Sequence, residues 1–414
     1  MAININVEVI GMEATRTDTK KNEIKYEKSE LELMTTYQLR EICRREKIMN
    51  GVIHPLDKEE LIQAIMRYMG KRQDFFICDK KKGGEERVEE FLKKTRIVIK
   101  PCKELYCQSQ ILAYEGLSIE YYDGYTIPYK KELSGTNAFL MGSDMALCAI
   151  LNLKEHGGRQ EKLYLTKAAE LETRETQRKD YRIFCMGHQT SESLYHLYYG
   201  EHTILPEHIE VYSIPLIDFV VRKPVTLMLP MAIDFGSVNT TAGVYLDSAY
   251  FENVGEQAAV KNCRENEINY TAFEDGNGES MLLPSVIGVL AVEEEDYKLL
   301  FGYDAIRLAN ASYVDEGFCV FYDVKRWIGE YEKEEEIVDR QGRRRLVKRA
   351  EILRRFFLYI IRKTENRFKC RISQVHISSP VKQKHYFRRM FREILPEYMT
   401  GQETMLDEGM AVLY

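Results

Sequence analysis

Apolar residues recur at helical spacing between Glu30 and Gly70. Leu39, Ile42 and Cys43 follow Thr35 and Thr36, either of which can cap a helix. An extended loop, IMNGVIHPLD, then carries Gly51 and Pro55. Asp57, with Glu60 three positions on, has the pattern of a reciprocal helix cap. The helix it opens places Leu61, Ile62, Ile65 and Met66 on one face and stops at Gly70. Residues 29–72 thus read as a helix–extended loop–helix module. Ahead of it, residues 1–28 begin with the alternating run ININVEVI and turn polar, which predicts a strand and a linker. Behind it, residues 73–96 include KKKGGEERVEE, a charged linker with a short helix.

Residues 97–226 alternate short Tyr-, Ile- and Leu-rich runs with turn residues, as in LSIEYYDGYTIPY, EKLYLTKAAE, YRIFCMG and HIEVYSIPLIDFVV. This predicts a mostly β or mixed α/β domain without fixing its topology. The pattern sharpens from Thr226. TLMLPMAIDFGSVNTTAGVYL reads as strand, turn, strand, and LLPSVIGVLA and YKLLFGYDA as further strands. A hairpin is predicted around Gln341 and Gly342 within Glu336–Lys348. Ala350–Phe368 has helical period, with Ile352, Phe356, Tyr359 and Ile360 on one face. SQVHISSP is a buried strand and Lys384–Ile394 a basic helix. No internal repeat or low-complexity tract appears.

Composition narrows the class. The chain has 414 residues, enough for several domains, with 44% hydrophobic and 30% charged residues, as in ordinary globular proteins. A net charge of -6 disfavours nucleic-acid binding over a large surface. Nine scattered cysteines with no CxxC pair suggest reduced thiols rather than a disulfide framework or a zinc site. No signal-peptide pattern opens the chain, and no run approaches the length of a membrane span. The expected location is cytoplasmic, with no membrane partner.

Candidate chemistry concentrates in AIDFGSVNTTAGVYL, Ala232–Leu246. An apolar strand runs into Asp234, then Gly236 and small polar residues, then a second strand. Glycine allows a tight bend and close approach to a ligand, and the N–H groups of such a turn suit an anion. A carboxylate at the strand end repels phosphate but can hold a hydrated Mg²⁺ that binds it. A plain β-hairpin with a polar turn fits the stretch equally well. It is neither a P-loop nor a Rossmann fingerprint, since GxxxxGK[ST] and GxGxxG are both absent.

The stretch resembles the first phosphate motif of the actin, sugar kinase and heat-shock chaperone superfamily. LLPSVIGV (Leu282–Val289), FGYDAIRLA (Phe301–Ala309), YDVKRWIG (Tyr322–Gly329), the hairpin, the long helix, QVHISSPVKQKHYFRRMFREI (Gln374–Ile394) and LDEGMAVLY (Leu406–Tyr414) follow in order. That succession is similar to the first lobe of the seventy-kilodalton heat-shock chaperone nucleotide domain, over residues 227–414. The resemblance implies an actin-like, ribonuclease H-like α/β lobe that binds ATP and Mg²⁺. It implies that Asp234 holds the metal through water, and that Gly236, Ser237, Val238 and Asn239 line the β- and γ-phosphates. It implies that Lys325 is the catalytic lysine, Glu408 the catalytic-side glutamate and Pro380 the allosteric proline that couples nucleotide state to a partner domain. Val238 departs from the family's hydroxyl residue, and Gly409 and Met410 from its proline and threonine. The second phosphate motif and second lobe are missing from the resemblance. The chain is therefore read as a fragment of a longer protein, or else as a degenerate chain that binds nucleotide poorly.

LELMTTYQLREICRREKI…GVIHPLDKEELIQAIMRYMG resembles SAP and transcription-terminator N-terminal modules, many of which bind nucleic acid. Arg40, Arg44, Arg45 and Lys47 lie close together there. Yet Leu31–Arg72 holds eight Lys or Arg against six Asp or Glu, an excess able to neutralise few phosphates. Elsewhere, no histidine shares metal-ligand spacing with Cys or acid, and Ser378 and Ser379 lack a GxSxG context. The expected function is an ATP-hydrolysing, heat-shock-chaperone-like protein acting on a protein client. The alternatives are a non-catalytic scaffold with a vestigial lobe, and a nucleic-acid-associated regulator working through residues 29–72.

Overall fold

The computed structural model describes residues 26–46, 57–69, 74–107, 110–156, 161–228, 230–254, 260–275, 278–310, 318–340, 342–399 and 405–407. The expected strand at residues 3–10, the loop around Gly51 and Pro55, Lys47, Gln341 and Glu408 lie outside these residues. The chain divides into two units, Met1–Gln73 and Asp74–Tyr414.

In the first unit, helices α1 (Lys28–Glu32), α2 (Thr36–Arg45) and α3 (Lys58–Met69) pack through Leu31, Leu39, Ile42, Cys43, Leu61, Ile62 and Ile65. Both helix starts are closed reciprocally. The Gln38 N–H donates to Thr35 Oγ1 at 3.0 Å, and the Thr35 N–H to Gln38 Oε1 at 2.8 Å. Asp57 and Glu60 exchange the same two bonds, at 2.9 and 3.0 Å. Each cap satisfies backbone donors that a helix start otherwise leaves unpaired.

The second unit is mixed α/β. Its first part is a seven-stranded sheet in the spatial order 96–100, 208–216, 181–185, 137–142, 147–154, 162–166, 126–128. The strands Asn137–Gly142 and Leu147–Lys154 are almost wholly buried. Helices α4 (Gly84–Lys94) and α5 (His188–Tyr199) cover one face of it. Val88 and Leu92 of α4 are buried with Phe139, Ile150 and Leu194. The short helix expected within the charged stretch is α4, an amphipathic helix whose solvent face carries the charges.

The second part, from Leu227 onward, holds a five-strand path. Strands β1 (Met231–Phe235), β2 (Asn239–Leu246) and β3 (Glu267–Tyr270) form an antiparallel meander. Strand β4 (Val375–Ser379) then lies parallel to β1, and β5 (Met405–Asp407) parallel to β4. The spatial order is 3-2-1-4-5. Helix α6 (Ser248–Val254) buries Tyr250 and Val254, and α7 (Tyr303–Asn310) buries Ala305 and Leu308. Helix α8 (Arg349–Phe368) connects the meander side to β4, and α9 (Lys384–Ile394) connects β4 to β5. Their aromatic rings form a chain of contacts that starts at one residue of the sheet. Phe235 meets Phe357 at 5.0 Å between ring centroids, and Phe357 meets Phe391 at 4.7 Å. Burial alternates along β1, so Phe235 faces the helices while Asp234 is exposed on the other face.

The C-terminal end of α8 docks on residues 115–123. The Lys369 ammonium donates to Asp123 Oδ2 at 2.8 Å and to the Ser118 carbonyl at 3.0 Å. The Ser118 N–H donates to Asn366 Oδ1 at 3.1 Å, and Arg371 to the Glu115 carbonyl at 3.0 Å. Arg367 pairs with Glu279 and lies over the Tyr122 ring at 4.6 Å. Among the described residues, no helix is long and apolar enough to cross a membrane.

Candidate functional site

The β1–β2 hairpin is closed and then braced from behind. The Gly236 N–H donates to the Asn239 carbonyl at 3.0 Å, and Phe235 pairs with Thr240. A Cβ on Gly236 would sit 2.3 Å from the Asn239 carbonyl oxygen, so glycine is required by close backbone approach. Ser285, fully buried, supplies the brace. Its hydroxyl donates to the Gly236 carbonyl and its N–H to the Val238 carbonyl, each at 2.8 Å. Thr240, also fully buried, shares a hydroxyl hydrogen bond with Ser285 at 2.8 Å. Two carbonyls of the turn are thereby drawn toward the protein interior. Ser237 and Val238 stay exposed at the tip.

Lys325 stands on a 3-10 helix, Val324–Glu330, entered through Asp323 with φ 54. Val324, Trp327 and Ile328 are its buried side, and Trp327 packs edge-on to Phe321 at 4.9 Å. The Arg349 guanidinium lies over the Trp327 ring at 5.3 Å. This anchoring explains the apolar residues of KRWIG, which leave Lys325 half-buried and its ammonium 5.8 Å from the Phe387 ring on α9. Arg326 pairs with Asp323.

Strand β4 ends in Ser378, Ser379 and Pro380. Ser378 is adjacent to Asp234, because Ile377 pairs with Ile233 in the parallel register. The Ser378 hydroxyl donates to Asp234 Oδ1. Pro380 then turns the chain into Val381–Gln383 and α9.

These three segments meet in a cleft of about 420 Å³ lined by Ser237, Lys325, Arg326, Pro380, Gln383 and Tyr386, together with Ile328 and Gly329. Of the sequence-predicted residues, Ser237, Lys325 and Pro380 share this cleft. Gly236, Val238 and Asn239 belong to the hairpin that presents Ser237. Asp234 is not in the lining, but is tied by Ser378 to the strand that carries Pro380. Glu408 lies outside the described residues, so its relation to the cleft is not part of the geometry.

The lining holds two cations, a hydroxyl, an amide and a phenol, and no carboxylate. That donor set suits an anion with several oxygens. Among the described residues, no group of three or more His, Cys, Asp or Glu converges to hold a metal ion. A single exposed carboxylate fits a Mg²⁺ that keeps most of its water and arrives with phosphate, not an ion caged by protein.

Sequence spacing does not single out Ser285, Gln383 or Tyr386, and it marks Ser378 only as a strand-end serine without a hydrolase context. A signal exists for Ser285, a small hydroxyl residue inside the otherwise apolar run LLPSVIGV. In the first unit, Arg44 pairs with Glu41 and Arg45 with Glu46, which offsets part of the basic cluster on α2.

No protein-family model matches the chain, and no curated protein matches it.

Proposed function

We propose that residues 227–414 are the first lobe of an actin-like nucleotide-binding domain of the heat-shock-chaperone type. In this reading the cleft takes the phosphates of ATP with Mg²⁺. The observation that carries it is the meeting of Ser237, Lys325 and Pro380, from three separate segments, around a cationic cleft free of carboxylates. Two further features support it. The 3-2-1-4-5 strand order, with helices between β3 and β4 and between β4 and β5, is the arrangement expected of a ribonuclease H-like lobe. The hairpin is braced through its carbonyls and the Gly236 N–H is spent on the Asn239 carbonyl, so the exposed tip, Ser237 and Val238, is what offers N–H groups to phosphate.

Phosphoryl transfer needs positioning and charge neutralisation more than covalent help. Lys325 supplies a cation that lies beside the Phe387 ring of α9. Ser237 and the hairpin backbone supply donors. Asp234 accepts hydrogen bonds from metal-bound water, and Mg²⁺ would neutralise charge on the phosphates it accompanies. Pro380 sits at the junction of the cleft and α9, where phosphate-dependent closure passes to the rest of the lobe and on to a protein client.

The test is calorimetric titration of the full chain with MgATP, alongside Asp234→Ala and Lys325→Ala, with phosphate release followed in parallel. Saturable MgATP binding is expected, weakened about tenfold or more in each variant, since a charge-assisted contact contributes roughly 1.5–3 kcal/mol. A parent chain with no MgATP binding overturns the reading. A Lys325→Ala chain with undiminished turnover removes that lysine from the chemistry.

A further inference from the structure

We infer that Ser378 is a positioning residue that fixes one oxygen of Asp234 so that the other faces metal-bound water. The inference rests on the MgATP reading above. Asp234 lies on the exposed face of β1, where a short carboxylate side chain would otherwise sample several rotamers. Ser378 is 7% exposed and belongs to the neighbouring parallel strand. Its hydroxyl donates to Asp234 Oδ1. Asp234 Oδ2 accepts no hydrogen bond from any described residue and keeps its full acceptor capacity.

The arrangement does two things. It selects one carboxylate orientation before ligand arrives, so less ordering remains to be done on binding. It also joins Asp234, across two strands, to the strand end that leads two residues later into Pro380. Carboxylate orientation and the position of the proline are thus set by the same strand end. Groups that orient a metal-holding carboxylate commonly change metal affinity about 10–100-fold when removed.

The test measures the magnesium-dependent gain in ATP affinity, the ratio of Kd in EDTA to Kd in excess Mg²⁺, by calorimetry on the full chain. Ser378→Ala is expected to reduce that ratio about tenfold while leaving the metal-free Kd within about twofold. Ser378→Thr, which keeps the hydroxyl, is expected to restore the ratio to within about twofold of the parent. Should the alanine variant fold poorly, Ser378→Cys keeps the volume with a weaker donor and is expected to fall between the two. An unchanged ratio in Ser378→Ala, or an equal loss in Ser378→Thr, overturns the positioning role and leaves the nucleotide reading standing. A parent chain that binds ATP without any magnesium dependence, or not at all, overturns the nucleotide reading and this inference with it.

Discussion

Lys369 and Asp123, 246 positions apart, form a buried ion pair at 2.8 Å with 3% side-chain exposure on each partner. Lys369 caps the C-terminus of α8 with φ 50, and its ammonium also donates to the Ser118 carbonyl. The pair therefore joins the long helix of the C-terminal part to the seven-stranded part, and it does so out of water.

Removing one partner of such a pair leaves a buried charge uncompensated, which costs about 3–5 kcal/mol. Lys369→Met is expected to lower the urea midpoint of the second unit accordingly. The double variant Lys369→Met/Asp123→Leu is expected to recover most of the loss, because no charge then remains to be desolvated. A double variant as unstable as the single one would show that packing, rather than the lone carboxylate, carries the effect.

Lys167 is a second buried cation, 2% exposed, and burial pushes its ammonium down to about 8. Glu85 and Glu170 oppose that fall and Lys369 adds to it. Between about pH 8 and the ordinary lysine range the unfolded chain binds this proton and the folded chain does not, so stability from this group rises with pH. It is complete above the unfolded value and lost as pH falls through about 8. Lys167→Met is expected to be more stable than the parent below pH 8, by on the order of 2–3 kcal/mol, with the difference closing by pH 10.5. Urea midpoints of the two proteins across that range are the measurement, and parallel curves would contradict it.

Gly236→Ala is expected to destabilise the hairpin by about 1–3 kcal/mol, because the new methyl meets a backbone oxygen that cannot swing away. Ser285→Ala is expected to cost a similar amount by leaving buried hydrogen-bonding groups unpaired. Amide exchange across residues 231–246 reads both. Protection equal to the parent in either variant would mean that the turn relaxes freely.

Thr35→Ala removes one half of the reciprocal cap on α2 and is expected to cost about 1 kcal/mol. Amide exchange in residues 36–45 is then expected to quicken about fivefold, while residues 137–154 keep the parent rate. Acceleration spread evenly over both units would argue against a local cap effect.

What could be read from the sequence follows from how exposed each segment is. Helix α2 and helix α3 carry one-sided apolar stripes and side-chain caps, so Thr35, Asp57 and Glu60 announce them. The β1–β2 hairpin and α8 are equally plain, since Asp234, Gly236 and the Ile352–Phe356–Ile360 stripe leave little choice. The seven-stranded sheet was harder. Asn137–Gly142 and Leu147–Lys154 are covered on both faces, so they lack the polar alternation that marks a half-buried strand. The short helix that begins within Lys80–Glu90 is only faintly marked in the sequence, because its apolar face rests on a few residues, Val88 chief among them. The cleft was legible only as separate motifs. That Lys325 and Pro380 come together with Ser237 depends on α8 and α9 packing against one side of β1, which no local spacing encodes. Lys369 and Asp123 gave no sign at all, since a charged residue's burial is set by partners hundreds of positions away.

Strand β1 waits for its neighbour. Asp234 and Ser378 are 144 positions apart, and the rings that meet Phe235 belong to residues 356 and 357. At ordinary translation speeds the ribosome needs on the order of ten seconds to make that stretch. Throughout that interval Phe235 lacks the α8 rings that later meet it, so the core on this side of β1 cannot close until the chain has been made through Phe357.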